Sequence, residues 1–400
     1  MSSETENRAL LPSGLHDLLP PRAAQEAATV RALTDAFAGF GYEQVKPPLV
    51  EFETTLTGAG ENGGGSLAGH MFRLMDPASQ RMMAVRADIT LQVARIAETR
   101  LRDTARPLRL SYAGEVLRVR GSQLRPERLF AQAGVELIGT ADVSADVEVV
   151  VLAVEALAAT GIAAPTIDLN SPALVAHLLA DIAVDDAVVE QLRGALDHKD
   201  AAAVRDVTRA HGVAFGNAAR ILDELVGAAG TAEEVLPVLK RLELPVAAAA
   251  EIDRLEAVVD GIRAAGADLS LTLDPVEYRG FEYHTGVSFT VFATGVRGEL
   301  GRGGRYITAG GEAATGFSLY LDSIMRALPE PAAASKLYLP FGAPAAAANP
   351  LRAEGWVTVA GLAPEADVRA EARRMACSHC WQDGKILTLD DGSGDAPTEK

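Results

Sequence analysis

The segment 129–137, which reads LFAQAGVEL, restricts the fold and chemistry of this chain more than any other segment. Successive side chains of a β-strand point to opposite faces, and the odd-numbered residues here are all apolar. The other face carries Gln132 and Glu136 on either side of Gly134. Glycine weakens a strand interior unless another group must approach its backbone closely. The pattern therefore predicts a strand whose polar face either holds a small polar ligand or is exposed to solvent.

Hydrophobic periodicity indicates that this strand belongs to an α+β core with an insertion. After Asn170, Ser171 and Pro172, a cap followed by proline in the first turn, the chain is rich in Ala and Leu with helical spacing. The segment 329–335 has the composition of a linker. The predicted organisation is a discontinuous core over residues 1–170 and 267–328, a helical insertion over 171–266, a small C-terminal α/β domain over 336–390 and a disordered tail over 391–400.

Three further segments carry polar side chains that could meet this polar face. In VRADIT, Asp88 and Thr90 share one side if the segment is extended, and Asp88 either binds an ammonium group or supports a helix N-terminus. In YRGFEYHTG, Arg279 either binds a carboxylate or forms a surface ion pair, and His284 is more often structural than catalytic. The segment GRGGRY, residues 301–306, predicts a tight turn that is either an anion site or a hairpin with exposed charges.

Two motifs give weaker signals. The glycine-rich segment 58–69 is not a P-loop, because no Gly-Lys-Ser/Thr follows, and predicts either a mobile surface loop or a lid. Cys377 and Cys380 have CxxC spacing, but a structural zinc site needs four ligands and the chain has no second pair of cysteines. We therefore expect no metal site.

Composition argues against a polyanionic partner and against export. Lys plus Arg total 37 and Asp plus Glu 54, a net charge of −17 at pH 7, whereas binding to nucleic acid depends on basic residues. Two cysteines fit a reducing compartment. The polar N-terminus lacks a signal-peptide pattern, and Glu148 and Glu155 interrupt the longest apolar run. We expect a cytoplasmic protein that does not span a membrane.

Five segments, in order along the chain, resemble the catalytic core of histidyl-tRNA synthetases. They are VKPPLVE with Pro48, VRADIT, SYAGEVLRVR with RLFAQAGVELIG, YRGFEYHTG and RGGRY, and the resemblance covers residues 10–328. It implies an α+β fold of the class II aminoacyl-tRNA synthetase type, with an antiparallel sheet flanked by helices. It also implies a homodimer formed through the segment around Pro48.

The resemblance implies that the histidine pocket is largely retained. Asp88 stands where the family has a glutamate that binds the α-ammonium group, and Glu136 matches the carboxylate that reads the imidazole. His284 replaces a tyrosine that hydrogen-bonds the substrate. The expected histidine-binding residues are Asp88, Thr90, Arg118, Gln132, Glu136, Arg279, Tyr283, His284 and Tyr306, and no catalytic residue or cofactor is expected.

The nucleotide and tRNA sites of that family are altered. Its Phe-Arg-x-Glu motif reads Leu-Arg-Val-Arg here, so that Arg120 replaces the acidic residue. In its last motif, Tyr320 replaces a glycine and Ser323 replaces the arginine that stacks on adenine. Residues 336–400 carry seven Lys or Arg and nine Asp or Glu, so they lack the basic surface that tRNA requires.

A chain that keeps the histidine pocket but loses the nucleotide and tRNA sites resembles the regulatory subunit of ATP phosphoribosyltransferase. That resemblance implies a partner, the short-form catalytic subunit, in a hetero-oligomer that performs the first step of histidine biosynthesis. It also implies L-histidine as the feedback effector. The alternatives are a divergent histidyl-tRNA synthetase, which the retained Arg118 and Arg279 favour, and a stand-alone histidine sensor with another partner.

Overall fold

The computed structural model describes residues 10–57, 69–122, 125–180, 182–266, 269–277, 284–332 and 335–389. The chain forms two compact units, Met1–Pro329 and Glu330–Lys400. Several predictions lie outside the described residues: the glycine-rich loop except Gly69, Arg279 and Tyr283, and the tail 391–400.

The secondary structure follows the predicted α+β pattern. The helices are α1 (Arg22–Gly39), α2 (Glu53–Leu56), α3 (Thr90–Thr99), α4 (Val143–Thr160), α5 (Pro172–Leu179), α6 (Asp186–Asp197), α7 (Ala201–Ala210), α8 (Gly212–Phe215), α9 (Asn217–Gly227), α10 (Ala232–Leu239), α11 (Val246–Ala264), α12 (Leu321–Ala327), α13 (Ala345–Ala353) and α14 (Val368–Arg374). The strands are β1 (Glu43–Gln44), β2 (Val50–Phe52), β3 (Arg73–Met75), β4 (Met82–Val85), β5 (Leu108–Leu117), β6 (Leu129–Ile138), β7 (Thr166–Asn170), β8 (Gly230–Thr231), β9 (Ser270–Leu273), β10 (His284–Phe292), β11 (Gly301–Ile307), β12 (Ala313–Tyr320), β13 (Lys336–Leu339), β14 (Val357–Ala360), β15 (His379–Gln382) and β16 (Lys385–Thr388).

The first unit is built on a nine-stranded sheet in the order β1-β5-β6-β12-β11-β10-β7-β9-β8. Its central pairs, from β5 to β7, are antiparallel, whereas β1 pairs with β5 and β7 with β9 in parallel. A separate three-stranded sheet has the order β2-β4-β3. The predicted antiparallel sheet flanked by helices is confirmed, with parallel pairs added towards its edges.

One face of the large sheet packs against helices and forms the main core. Ala133, Val135 and Leu137, the apolar side of β6, lie in one buried cluster with Phe37 of α1 and Leu152 of α4. Burying such side chains stabilises the fold by about 1.5–3 kcal/mol each. Apolar and polar side chains alternate along β6, so one face of the strand packs against the helices and the other carries the polar side chains.

Two local predictions need correction. Residues 301–306 do not form a turn but lie in β11, a central strand between β12 and β10. The sequence favours Thr90 as the N-cap of a helix, whereas helix α3 begins at Thr90 and its N-cap residue is Ile89. Oδ1 of Asp88 accepts a 2.9 Å hydrogen bond from the Thr90 backbone N–H. Glycine richness suggested a turn at 301–306, yet the glycines lie within a paired strand.

Helices α5 to α11 follow β7 and share the main buried cluster with the sheet, through side chains such as Leu192, Leu222 and Leu255. The partition of the first unit into a core and a separate helical insertion stays a prediction. Within the described residues, no helix is both long and apolar enough to cross a membrane.

The second unit is a small α/β arrangement with strand order β14-β13-β15-β16. Strand β13 is parallel to both β14 and β15, and β16 is antiparallel to β15. Cys377 and Cys380 are free and buried, and burial raises the pKa of both thiols. Buried thiols of raised pKa carry little thiolate, which makes them poor nucleophiles and poor metal ligands.

Candidate functional site

The polar face of β6 is buried rather than exposed. Gln132 and Glu136 are each 1% exposed, so the solvent-exposed alternative for this face is wrong. Their Cα atoms are four residues apart, or about 13 Å at the usual rise of a strand. Around them lie Asp88, Thr90, Tyr112, Tyr306 and Ser318, and together these seven residues are called the polar cluster below.

Glu136 forms one end of the polar cluster. Its Oε2 accepts a 2.8 Å hydrogen bond from the Tyr306 hydroxyl, and its Oε1 accepts a 3.3 Å bond from Tyr112. Burial raises the pKa of Glu136 to about 8, and the negative charge of Asp88 adds to the rise. Hydrogen bonds from Tyr306, Thr90 and Tyr112 oppose it by stabilising the carboxylate. The group is therefore poised to exchange a proton near neutral pH.

Gln132 forms the other end. Its Nε2 donates to Oδ2 of Asp88 at 2.9 Å and to Oγ of Ser318 at 2.5 Å. Its Oε1 is buried and accepts no hydrogen bond from the described residues. A buried acceptor without a donor costs about 1–3 kcal/mol, so this end favours a ligand that brings an N–H or ammonium group.

Three glycines give the polar cluster a floor of bare backbone. Gly316 is the register partner of both Glu136 and Gly304, and Gly134 is the partner of Ser318. A Cβ on Gly316 would collide with the Glu136 carboxylate and the Val135 carbonyl. A Cβ on Gly134 would lie 2.5 Å from the Tyr112 hydroxyl. We call Gly134, Gly304 and Gly316 the glycine floor.

His284 and Arg305 take different parts. His284 opens β10 opposite Tyr306 and is 7% exposed, with its imidazole against the place where a Cβ on Gly304 would lie. Arg305 points to the opposite face and forms a buried 2.8 Å ion pair with Asp146 of α4. Arg305 therefore holds helix α4 to the sheet. The prediction that the charges of GRGGRY are exposed is wrong for this residue.

Arg118 lies in a packed stack beside the polar cluster. Its guanidinium carbon is 5.1 Å from the Phe130 ring centroid and 6.0 Å from that of Tyr320. The Arg125 guanidinium carbon lies closer, 3.7 Å from the Tyr320 centroid, and Arg125 forms a 3.2 Å ion pair with Asp322. The two rings are perpendicular, with centroids 6.0 Å apart. The bulky Tyr320 is thus held in place by the buried Arg125, and the stack lies at the end of the sheet where β5 and β12 finish and β6 begins.

Sequence reasoning missed Tyr112, which lies in the quoted segment SYAGEVLRVR, and Ser318, which lies two residues before Tyr320. Their hydroxyls are 2.8 Å apart although the residues are 206 positions apart in sequence. The only signal that could have found them is the register of β5, β6 and β12, which places Tyr112 and Ser318 opposite Gly134 on either side.

Comparison with known proteins gives the family. A family model described as Histidyl-tRNA synthetase matches residues 14–324. The ATP phosphoribosyltransferase regulatory subunit of Paramagnetospirillum magneticum is 53% identical over 380 residues, which are 94% of this chain and 97% of that protein. This chain belongs to the ATP phosphoribosyltransferase regulatory subunits. The predicted family and the assignment as a regulatory rather than a catalytic subunit are confirmed.

Solved structures show the same fold for this regulatory subunit. A Bacillus halodurans protein, described as an ATP phosphoribosyltransferase regulatory subunit/histidyl-tRNA synthetase, has a TM-score of 0.79 at 25% identity, over 91% of this chain and 96% of that one. A chain of an ATP phosphoribosyl transferase complex from Thermotoga maritima has a TM-score of 0.57 at 18% identity, over 74% of this chain and 97% of that one. The second likeness concerns the fold alone.

Proposed function

We propose that this regulatory subunit binds L-histidine in the polar cluster and transmits feedback inhibition to a short-form ATP phosphoribosyltransferase catalytic subunit. It would act in the cytoplasm as a homodimer within a hetero-oligomer, in the first step of histidine biosynthesis. The family membership supports the partner.

The observation that carries the proposal is the pairing of two unlike, buried ends on one face of β6. The acceptor Oε1 of Gln132 suits an α-ammonium group, and the carboxylate of Asp88, which is bonded to the same amide, adds a negative charge nearby. About 13 Å along the strand, Glu136 suits an imidazole, because a carboxyl whose pKa is about 8 can pass its proton to the ring and form a carboxylate–imidazolium pair with a charge-assisted hydrogen bond. A short amino acid with a nitrogen heterocycle matches both ends.

We also propose that the chain forms no aminoacyl-adenylate and binds no tRNA. Arg125 packs against the rings of Tyr320 and Phe130, and its ion pair with Asp322 holds it there. A purine would have to displace this stack to bind. Histidine-dependent exchange of pyrophosphate with ATP should therefore stay at background. Measurable exchange would instead favour the divergent synthetase.

The decisive experiment combines calorimetry with an activity assay of the reconstituted complex. L-Histidine should bind the wild-type subunit and inhibit phosphoribosyl transfer in the complex. Glu136→Gln should weaken histidine binding by about tenfold or more, since an amide cannot form the carboxylate–imidazolium pair, and should keep the activation of the catalytic subunit. Glu155→Gln, at an exposed position of α4, is the matched control and should behave as wild type. No binding to the wild type, or equal inhibition of the Glu136 variant, would refute the proposal.

A further inference from the structure

Ser318 occupies the centre of the polar cluster, although neither the sequence motifs nor the family assignment gives it a role. Its Oγ accepts the 2.5 Å hydrogen bond from Nε2 of Gln132 and lies 2.8 Å from the Tyr112 hydroxyl. The residue is 7% exposed. Its register partner is Gly134, whose missing side chain leaves room for the contact between Ser318 and Tyr112.

The orientation of the Gln132 amide decides what this end of the polar cluster can bind. An amide carries two donors on nitrogen and an acceptor on oxygen, so a reversed amide would present donors to the ligand and oxygen to Asp88. In the structure both N–H groups are engaged, one by Asp88 and one by Ser318, which leaves Oε1 as the acceptor. A ligand ammonium group would compete for Asp88, and Ser318 would then be the remaining anchor of the amide.

Ser318 also links the two ends of the polar cluster. Since it accepts from Gln132, its own hydroxyl hydrogen can go to Tyr112, whose hydroxyl in turn donates to Oε1 of Glu136 at 3.3 Å. Hydrogen bonds in such a chain polarise and orient one another. The amide end is therefore fixed relative to the carboxyl end through one hydroxyl.

We propose that Ser318 is a positioning residue that holds the Gln132 amide with its oxygen towards the ligand, so that the site selects imidazole ligands that carry an ammonium group. The inference rests on the proposed function and adds a specificity determinant to it. Ser318 itself need not touch the ligand.

Three ligands separate this role from a general structural one. L-Histidine and histamine both carry an ammonium group, whereas 3-(imidazol-4-yl)propionate keeps the ring and a carboxylate but lacks the ammonium group. Ser318→Ala should weaken binding of the first two by about five- to tenfold, the worth of one hydrogen bond. Binding of imidazolylpropionate should change by less than about twofold, because its recognition does not depend on Gln132 Oε1.

Thr315→Val is the matched control, since it removes a buried hydroxyl from the same strand. Thr315 is 1% exposed, pairs with Leu137 on the opposite face, and its Oγ1 has no partner among the described residues. This variant should bind all three ligands as the wild type does. Calorimetry on each folded variant measures the affinities.

The outcomes distinguish this inference from the proposed function. If the wild type binds no histidine, the proposed function fails. If the wild type binds but Ser318→Ala weakens all three ligands equally, or none of them, only the role of Ser318 is refuted. Should Ser318→Ala fail to fold, Ser318→Cys keeps a side chain of similar size with a weak acceptor, and the same selective loss is expected. A uniform loss or no loss in that variant would also overturn the inference.

Discussion

The hydroxyl of Tyr306 on β11 donates a 2.8 Å hydrogen bond to Oε2 of Glu136 on β6, across the intervening strand β12. Tyr306 pairs with Ala314 on β12, so it reaches Glu136 diagonally, and Gly316, the register partner of Glu136, has no side chain to displace the carboxylate. The bond stabilises the carboxylate form of a group that burial otherwise keeps protonated. The pH behaviour of the subunit should depend on this pair.

Stability should fall as the pH rises through the range in which Glu136 loses its proton. Its pKa is raised from 4.5 to about 8, so the folded state binds more protons than the unfolded state between these values. The free energy of unfolding therefore decreases from about pH 4.5 upwards and levels off above pH 8, by several kcal/mol in total. Glu136→Gln should lack this component. Urea unfolding at pH 5 and pH 9 measures it, and an identical pH dependence in Glu136→Gln would contradict the assignment.

Tyr306→Phe should move the pKa of Glu136 further upwards. The lost hydrogen bond favoured the charged form, so the carboxyl should keep its proton to higher pH, and the loss of stability should continue to a higher pH than in the wild type. The midpoint of the stability-against-pH curve measures this shift. Tyr338→Phe, in the second unit, is the control and should leave that midpoint unchanged. A downward shift in Tyr306→Phe would be inconsistent with the geometry.

Gly316→Ala should abolish histidine binding and destabilise the fold. The new methyl group would push the Glu136 carboxylate from its hydrogen bonds and would meet the Val135 carbonyl, which cannot move without disturbing the sheet, at a cost of about 1–3 kcal/mol. Gly194→Ala is the counterpart, because Gly194 lies within helix α6 with nothing near its Cβ position. That change should stabilise the fold by about 0.5–1 kcal/mol. Thermal unfolding and calorimetry give both quantities, and equal effects would count against the glycine floor.

Arg125→Ala should destabilise the first unit strongly. It would leave Asp322, whose side chain is 5% exposed, without its buried cation and would remove the guanidinium from the Tyr320 ring. Breaking a buried ion pair from one side costs about 3–5 kcal/mol. Arg374→Ala removes a comparable but exposed pair with Glu371 and should leave the unfolding midpoint of the second unit nearly unchanged. A small effect of Arg125→Ala in urea unfolding would show that the stack does not hold the structure together.

Substrates of the catalytic subunit should weaken histidine binding to the complex if histidine inhibits. A ligand shifts a conformational equilibrium only through different affinities for the two states, and the coupling is reciprocal. We expect the histidine dissociation constant to rise by about fivefold or more when the substrates are present. Calorimetry on the complex measures it, and the isolated subunit serves as the control without coupling. An unchanged constant would mean that histidine acts without a second state.

The two faces of β6 were predictable because successive side chains of any strand point to opposite sides. Gln132 and Glu136 had to share a face, and the apolar residues between them had to meet helices. Asp88 was predicted to take one of two roles; the structure confirms the role at a helix N-terminus, and the binding of an ammonium group stays a prediction. Asp88 accepts the Thr90 N–H at the start of α3 and also receives the Gln132 amide.

The contacts between distant segments could not be read from the sequence. Arg305 is 159 residues from Asp146, and the segment that contains it looked like a turn because of its glycines. Those glycines lie in β11, where Gly303 and Gly304 face closely packed neighbours rather than a bend. Ser318 and Tyr112 meet through strand register, which local patterns do not fix over such separations.

The glycine floor limits how mutations can change the response of this subunit to histidine. Gly304 and Gly316 have no side chain to lose, so every substitution there adds atoms, whereas the helix-packed face behind them is untouched. A single codon change can therefore close the proposed effector site at a cost in stability of about 1–3 kcal/mol, while the helix-packed core keeps its side chains. Strains selected on a toxic histidine analogue should accumulate replacements at these glycines. Few of the selected variants should have a larger binding site.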